Sequence, residues 1–203
     1  MNQGLSANDV AFIENVRYTL SKAPEHNELA EAVNRQSSFI HKMDAQLWIR
    51  SPAVEGTLRR ARDRYSNFLR LFKLYPGTML VPTLDIDLVW HTHQLSPQRY
   101  MDATRDLAGK FLDHDDKLGK ETLDVGLEKT KKLFRIRFGK EYLVCNCWDC
   151  EALLDAVENR DESIVDANGS ASKTIAETTA DEVMFYRAVE VARTAGKPLP
   201  TRM

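Results

Sequence analysis

Apolar residues recur along this chain at intervals of three and four, and strand-like alternation is almost absent. Val10, Ile13, Val16 and Leu20 share one face of a first predicted helix, which Ser6 and Asp9 open as a capping box. Pro24 suits a first helical position, and Leu29, Val33, Ile40, Met43 and Leu47 mark one face of a long second helix, broken by Ser51-Pro52. Leu58, Ala61, Tyr65, Phe68, Leu69 and Phe72 form the strongest amphipathic pattern, stopped at Tyr75-Pro76-Gly77. Thr83 is a predicted N-cap, with Asp85 and Asp87 at the positive end of a helix running to about Leu95. Ser96-Pro97 restarts a helix toward Leu107, and a loop then carries Asp113-His114-Asp115-Asp116. Leu123, Leu127, Phe134 and Phe138 line a further helix ended by Gly139. A short helix through Leu153 and Val157 follows the cysteines. From Asn159 to about Ser172 the residues are small and polar, the composition of a mobile linker. A last helix, from near Asp181 to Thr194, places Met184, Phe185, Ala188 and Val191 on one face.

This pattern predicts an all-α fold. A single compact multi-helix bundle with a central buried helix covers residues 1–158, a linker covers 159–172, and a C-terminal helix and tail cover 173–203. A chain of 203 residues buries roughly 70% of the surface exposed when unfolded, so it needs no staples. Charge narrows the function. With 28 Lys and Arg against 30 Asp and Glu, the net charge is −2, which disfavours a nucleic-acid partner because phosphate binding needs a cationic excess. No apolar run approaches the ~20 residues of a membrane span. Met1 to Val10 lacks the basic start and apolar core of a secretory signal. The three cysteines, an odd count, all lie between 145 and 150, which is no disulfide framework and suits a reducing cytoplasm.

The segment from Thr83 to Leu95 places two carboxylates, two imidazoles and an indole in an otherwise apolar helix. Asp87 and His91 are four residues apart and share a face. A carboxylate there fixes the imidazole tautomer and raises its basicity, serving a general base or a metal ligand. His91 and His93 are separated by about 200° of helical rotation. One is therefore expected to face a site and the other to be hydrogen-bonded in the core. Leu84, Leu88 and Leu95 share the His91 side, whereas Ile86, Val89 and Trp90 surround His93.

His114, flanked by three acidic residues, has the donor chemistry of a zinc, iron or manganese site. It competes with a plainer reading as part of a solvated helix start. Cys145, Cys147 and Cys150 could bind zinc or copper through three thiolates, although no second C-x-x-C pair is present and buried free thiols are the plainer reading. Two basic stretches, Arg59 to Arg64 and Lys129 to Arg137, read as solvated helix faces or as a cationic wall for an anionic ligand.

Leu80 to Leu95, with its Trp90-His91-x-His93-x-Leu95 core, followed by Tyr100 and Leu112 to Asp116, resembles the glycine-rich domain-containing protein family of plants and fungi. Trp48, Ser51-Pro52, Leu58 and Arg64-Tyr65 fit the same pattern, and Cys145-x-Cys147-Trp-Asp-Cys150 is similar to its fungal branch. The resemblance covers roughly residues 40–155. It implies that Asp85, an acidic residue at 87, Trp90, His91 and His93 serve whatever the family shares, whereas His114 and the cysteines are confined to fungal-type sequences. Plant members append glycine-rich and RNA-recognition-like segments, which are not found in this sequence, so an RNA role is not expected. A fungal-type member suggests an enzyme of specialised metabolism.

Two functional readings follow. In the first, an enzyme acts on a small organic molecule by metal-assisted or acid/base chemistry. His91, oriented by Asp87, is the catalytic base or a ligand. His91, His93, His114 and Asp85 hold one divalent transition metal (zinc, or copper or iron), and Arg64 and Tyr100 hold the substrate. No nucleotide cofactor is expected. In the second, the Asp/His segment is a buried structural network within a non-catalytic interaction module. A structural zinc site at Cys145, Cys147 and Cys150 is a third option, independent of either.

Overall fold

A computed structural model describes residues 7–22, 27–115, 117–159 and 170–202. Ser6 and Pro24, expected to open helices, lie outside the described residues, as do residues 160–169 of the expected linker. The described residues hold only helices, turns and loops, with no strand, and no helix among them is long and apolar enough to cross a membrane. The chain forms two compact units, Met1–His41 and Lys42–Met203.

The first unit contains α1 (Ala7–Lys22) and most of α2 (Asn27–Gln46). Ile13 is half-buried. Val10, Val16, Val33 and Ile40, expected to face a core, are all exposed. Helical periodicity thus located both helices, while these four positions of their predicted apolar faces are exposed.

The second unit is organised around α3 (Val54–Leu74). It packs against α4 (Leu84–Gln94), α5 (Pro97–Ala108), α6 (Lys120–Phe138), α7 (Trp148–Glu158) and the short 3-10 turn Trp48–Arg50. The stripe at Ala61, Tyr65, Phe68, Leu69 and Phe72 explains this position. Phe68 and Leu69 are wholly buried, and Phe68 meets Phe72 and Trp90 with ring centroids 5.3 and 5.5 Å apart. Removing any one of these rings forfeits about 3–5 kcal/mol. The chain leaves α2 through Leu47, whose φ of 56° is left-handed, so the helix ends before Ser51-Pro52 is reached. Pro97 occupies the first turn of α5, and Gly139, at φ 63°, ends α6.

α4 is one-sided rather than enclosed all round. Asp85, Ile86 and Trp90 are buried, Asp87, His91 and His93 are half-buried, and Leu95 is 84% exposed. The extended segment before it has its backbone satisfied from outside. The Val81 N–H donates to Thr130 Oγ1 at 3.0 Å, and the Tyr142 hydroxyl donates to the Val81 carbonyl at 2.7 Å. Gly126 lets α6 approach this segment, since a Cβ there would lie 2.4 Å from Met79 Cε and 2.7 Å from Val81 Cγ2. The Met79 end can swing away, but β-branched Val81 is stiff. Gly126→Ala is therefore expected to destabilise by about 1–3 kcal/mol in urea unfolding, despite a helix-propensity gain of about 1 kcal/mol.

α8 (Ser170–Thr194) begins well before the expected start near Asp181 and packs on α7. Its buried positions are Thr179, Val183, Glu190 and Ala192, while Met184, Ala188 and Val191 are exposed. In α7, Leu153 and Val157 are likewise exposed, and Trp148, Glu151 and Ala152 are buried instead. Glu151 accepts a hydrogen bond from Thr57 Oγ1 at 2.7 Å and is paired with Arg60, tying α7 to α3.

Candidate metal centre

The start of α4 separates its two acidic residues. Thr83 has extended backbone and occupies the N-cap position, but its hydroxyl caps no backbone N–H. It donates instead to Asp85 Oδ1 at 2.5 Å. Arg64, reaching from α3, donates through Nε to Asp85 Oδ2 at 2.6 Å, and through Nη2 to Thr83 Oγ1 at 3.1 Å and to the Tyr142 carbonyl at 2.7 Å. Both carboxylate oxygens of Asp85 are thus engaged, and its side chain is 3% exposed. Asp85 and Arg64, expected as metal ligand and substrate holder, instead lock α3, α4 and the Tyr142 segment together.

Two positions further on, Asp87 takes the place by the histidines that the sequence reading gave to Asp85. His114 Nε2 lies 2.9 Å from Asp87 Oδ1, His91 Nε2 lies 3.6 Å from the same oxygen, and the two Nε2 atoms are 3.2 Å apart. Three tetrahedrally placed ligands about 2.0–2.2 Å from a zinc ion are about 3.4 Å from one another. A point about 2 Å from all three atoms therefore exists just off their plane. The side chains of His91, Asp87 and His114 are 20%, 21% and 16% exposed, so the group sits at the protein edge with one side toward solvent. Three lone-pair-bearing atoms this close repel unless a proton or a cation lies between them.

His114 reaches this place from the loop after α5. The Trp90 indole N–H donates to the Tyr100 hydroxyl at 2.7 Å, and that hydroxyl donates to the Leu112 carbonyl at 2.8 Å. Leu112 is buried, and the Trp90 and His114 ring centroids are 4.7 Å apart. Tyr100, expected to hold substrate, is itself buried and fixes the loop that presents His114. Burial raises its phenol above the usual range, so it stays protonated as donor.

His93 points away from this group. Its Nδ1 is 3.0 Å from the Tyr65 hydroxyl, and its ring lies edge-on to Tyr100 at 5.3 Å. Burial raises the Tyr65 phenol as well, so the contact is between a neutral hydroxyl and the imidazole. The opposed directions of His91 and His93 follow from their separation of two residues along α4. The spacing of four residues already predicts the Asp87–His91 pairing, whereas the anchoring of the His114 loop through Leu112 is visible only in the structure.

Cys145, Cys147 and Cys150 form a second group, with their sulfur atoms within 4.8 Å of one another. All three are free thiols. Cys147 occupies the N-cap position of α7, and the backbone N–H of Cys150 lowers its thiol below the usual range. Hydrogen bonds with Cys147 and Cys145 push the Cys150 thiol up to about 12. Carboxylates pair with several residues of the two basic stretches. Arg59 and Arg60 pair with Glu158, Arg64 with Asp85, Lys131 with Glu128, and Arg135 with Glu141.

The chain is similar to two plant proteins. It is 37% identical over 142 residues to glycine-rich domain-containing protein 1 of Arabidopsis thaliana, covering 66% of this chain and 17% of that protein. It is 36% identical over 124 residues to glycine-rich domain-containing protein 2 of the same plant, covering 57% of this chain and 15% of the relative. The chain thus spans less than a fifth of the length of these relatives. Because both are plant proteins, they give no support to the fungal-type affiliation drawn from the cysteine segment. No solved structure matches. The family model for glycine-rich domain-containing protein-like sequences matches residues 4–103, which include Asp87 and His91 but neither His114 nor the cysteines. Over this region, just under half of the chain, the sequence is similar to the glycine-rich domain-containing protein-like family.

Proposed function

We propose that this protein is a metal-dependent enzyme acting on a small organic molecule, with Asp87, His91 and His114 as the ligands of one divalent transition ion. The observation that carries the reading is the convergence of Asp87 Oδ1, His91 Nε2 and His114 Nε2 within 3.6 Å. Two imidazoles and one carboxylate are a ligand set for Fe(II) or Zn(II), and three protein ligands leave positions open for water and substrate. A structural site is closed by four protein ligands, so three at a solvent-facing edge favour catalysis. The ion would polarise a bound water or a substrate oxygen, and Trp90 and Tyr100 would keep His114 in register. A cytoplasmic setting and a place in specialised small-molecule metabolism belong to the same proposal.

A second reading, an interaction module whose Asp/His group shares only a proton, is favoured by the exposed Phe12, Val33 and Ile40 of Met1–His41. Metal analysis separates the two. The full chain, incubated with Fe(II) or Zn(II) and desalted, is expected to retain one ion at this centre that both His91→Ala and His114→Ala lose with their helical circular dichroism intact. Equal metal content in the wild type and both variants would sink the enzyme reading.

A further inference from the structure

We propose that Cys145, Cys147 and Cys150 bind a zinc ion of their own, at a second site that shares no residue with the Asp87–His91–His114 group. The three sulfur atoms already lie within 4.8 Å of one another. Zinc held by thiolates at about 2.3 Å spaces the sulfurs by about 3.8 Å, so closing the site takes a movement of about 1 Å.

The backbone that carries these thiols is already held. The Trp48 indole N–H donates to the Asn146 carbonyl at 2.7 Å, fixing the residue between Cys145 and Cys147 to the 3-10 turn. The Cys147 carbonyl accepts the Glu151 N–H at 3.0 Å, and Trp148 is buried. Cys145 precedes the helix, Cys147 caps it and Cys150 lies in its first turn. All three sulfurs therefore gather around the first turn of α7, and metal binding there would release the thiol protons.

A disulfide does not account for this arrangement, because it would use two of the three sulfurs and leave the third adjacent and idle. Thiol–thiol hydrogen bonds are weak, and exposed Cys145 has no apolar environment to occupy. Zinc uses all three. Asp149, the next carboxylate along, is held by Arg187 at 2.6 Å, so the fourth ligand is water or an exogenous donor. The bound ion would tie Cys145, ahead of the helix, to Cys150 in its first turn, and would keep one coordination position open.

Cobalt titration of the reduced full chain, without oxygen, reads this site directly. One equivalent of Co(II) is expected to produce the intense near-ultraviolet absorption of thiolate-bound cobalt, bleached by one equivalent of Zn(II). The signal should persist in His91→Ala, which removes a ligand of the other centre, so the two proposals fail separately. Cys147→Ser should abolish it and weaken zinc binding by more than the roughly 10–100-fold that loss of a supporting contact costs. Cys145→Ser, at an exposed position, gives the same result without disturbing the core. Absence of the thiolate band in the wild type, or zinc affinity unchanged in both serine variants, overturns the proposal.

Discussion

Asp85→Ala is expected to remove about 3–5 kcal/mol from the stability of Lys42–Met203, as much as the loss of a core aromatic ring. The side chain is 3% exposed and accepts from Arg64 and Thr83 at once. Its loss leaves the Arg64 guanidinium, itself only 14% exposed, without a counter-charge in a place where water cannot replace one. At roughly 2–4 °C per kcal/mol for a unit of this size, the melting temperature should fall by about 10 °C. Replacing Arg64 and Asp85 together with apolar residues should recover much of the loss, because the pair then disappears with its desolvation penalty. Metal content provides the sharper reading. Asp85→Ala that still folds should retain as much metal as the wild type, whereas metal lost at undiminished stability would return Asp85 to the ligand set.

Tyr100→Phe is expected to combine a fold effect with a site effect. The hydroxyl it deletes accepts from the Trp90 indole and donates to the Leu112 carbonyl. Both partners are buried, and leaving two such groups unmatched costs about 2–4 kcal/mol. The same bond positions the loop that carries His114, so metal affinity should drop about 10–100-fold. Urea unfolding gives the first quantity and chelator competition the second. A variant that loses stability while binding metal as tightly as the wild type would restrict Tyr100 to the core.

Both effects pass through contacts that join distant parts of the chain, and these were the least legible in the sequence. The helices themselves were legible. Ala61, Tyr65, Phe68 and Leu69 fall on one face whatever they meet, and Pro97 and Gly139 act on their own backbone. Local geometry likewise separated His91 from His93 and placed Asp87 beside His91, because four residues return a helix to the same face and two do not.

Local periodicity does not say which neighbour covers a face. Val10, Val16, Met184 and Val191 carry correct helical spacing yet are exposed. In α8 the neighbouring Val183 and Ala192 are buried instead. Asp85 and Asp87 illustrate the limit most clearly. Two residues apart on one helix, they are chemically identical until Arg64 arrives from α3 and claims the first.

What the sequence by itself determined about this protein is therefore its helical character, the place of α3 and α4, and the Asp87–His91 pair, all properties of neighbours along the chain. His114 was a candidate ligand from its sequence, but only the tertiary structure placed it beside that pair, 23 residues from His91. It is brought there by one buried hydroxyl on Leu112 and the face of Trp90, because closing a loop onto a helix depends on packing that no local pattern encodes.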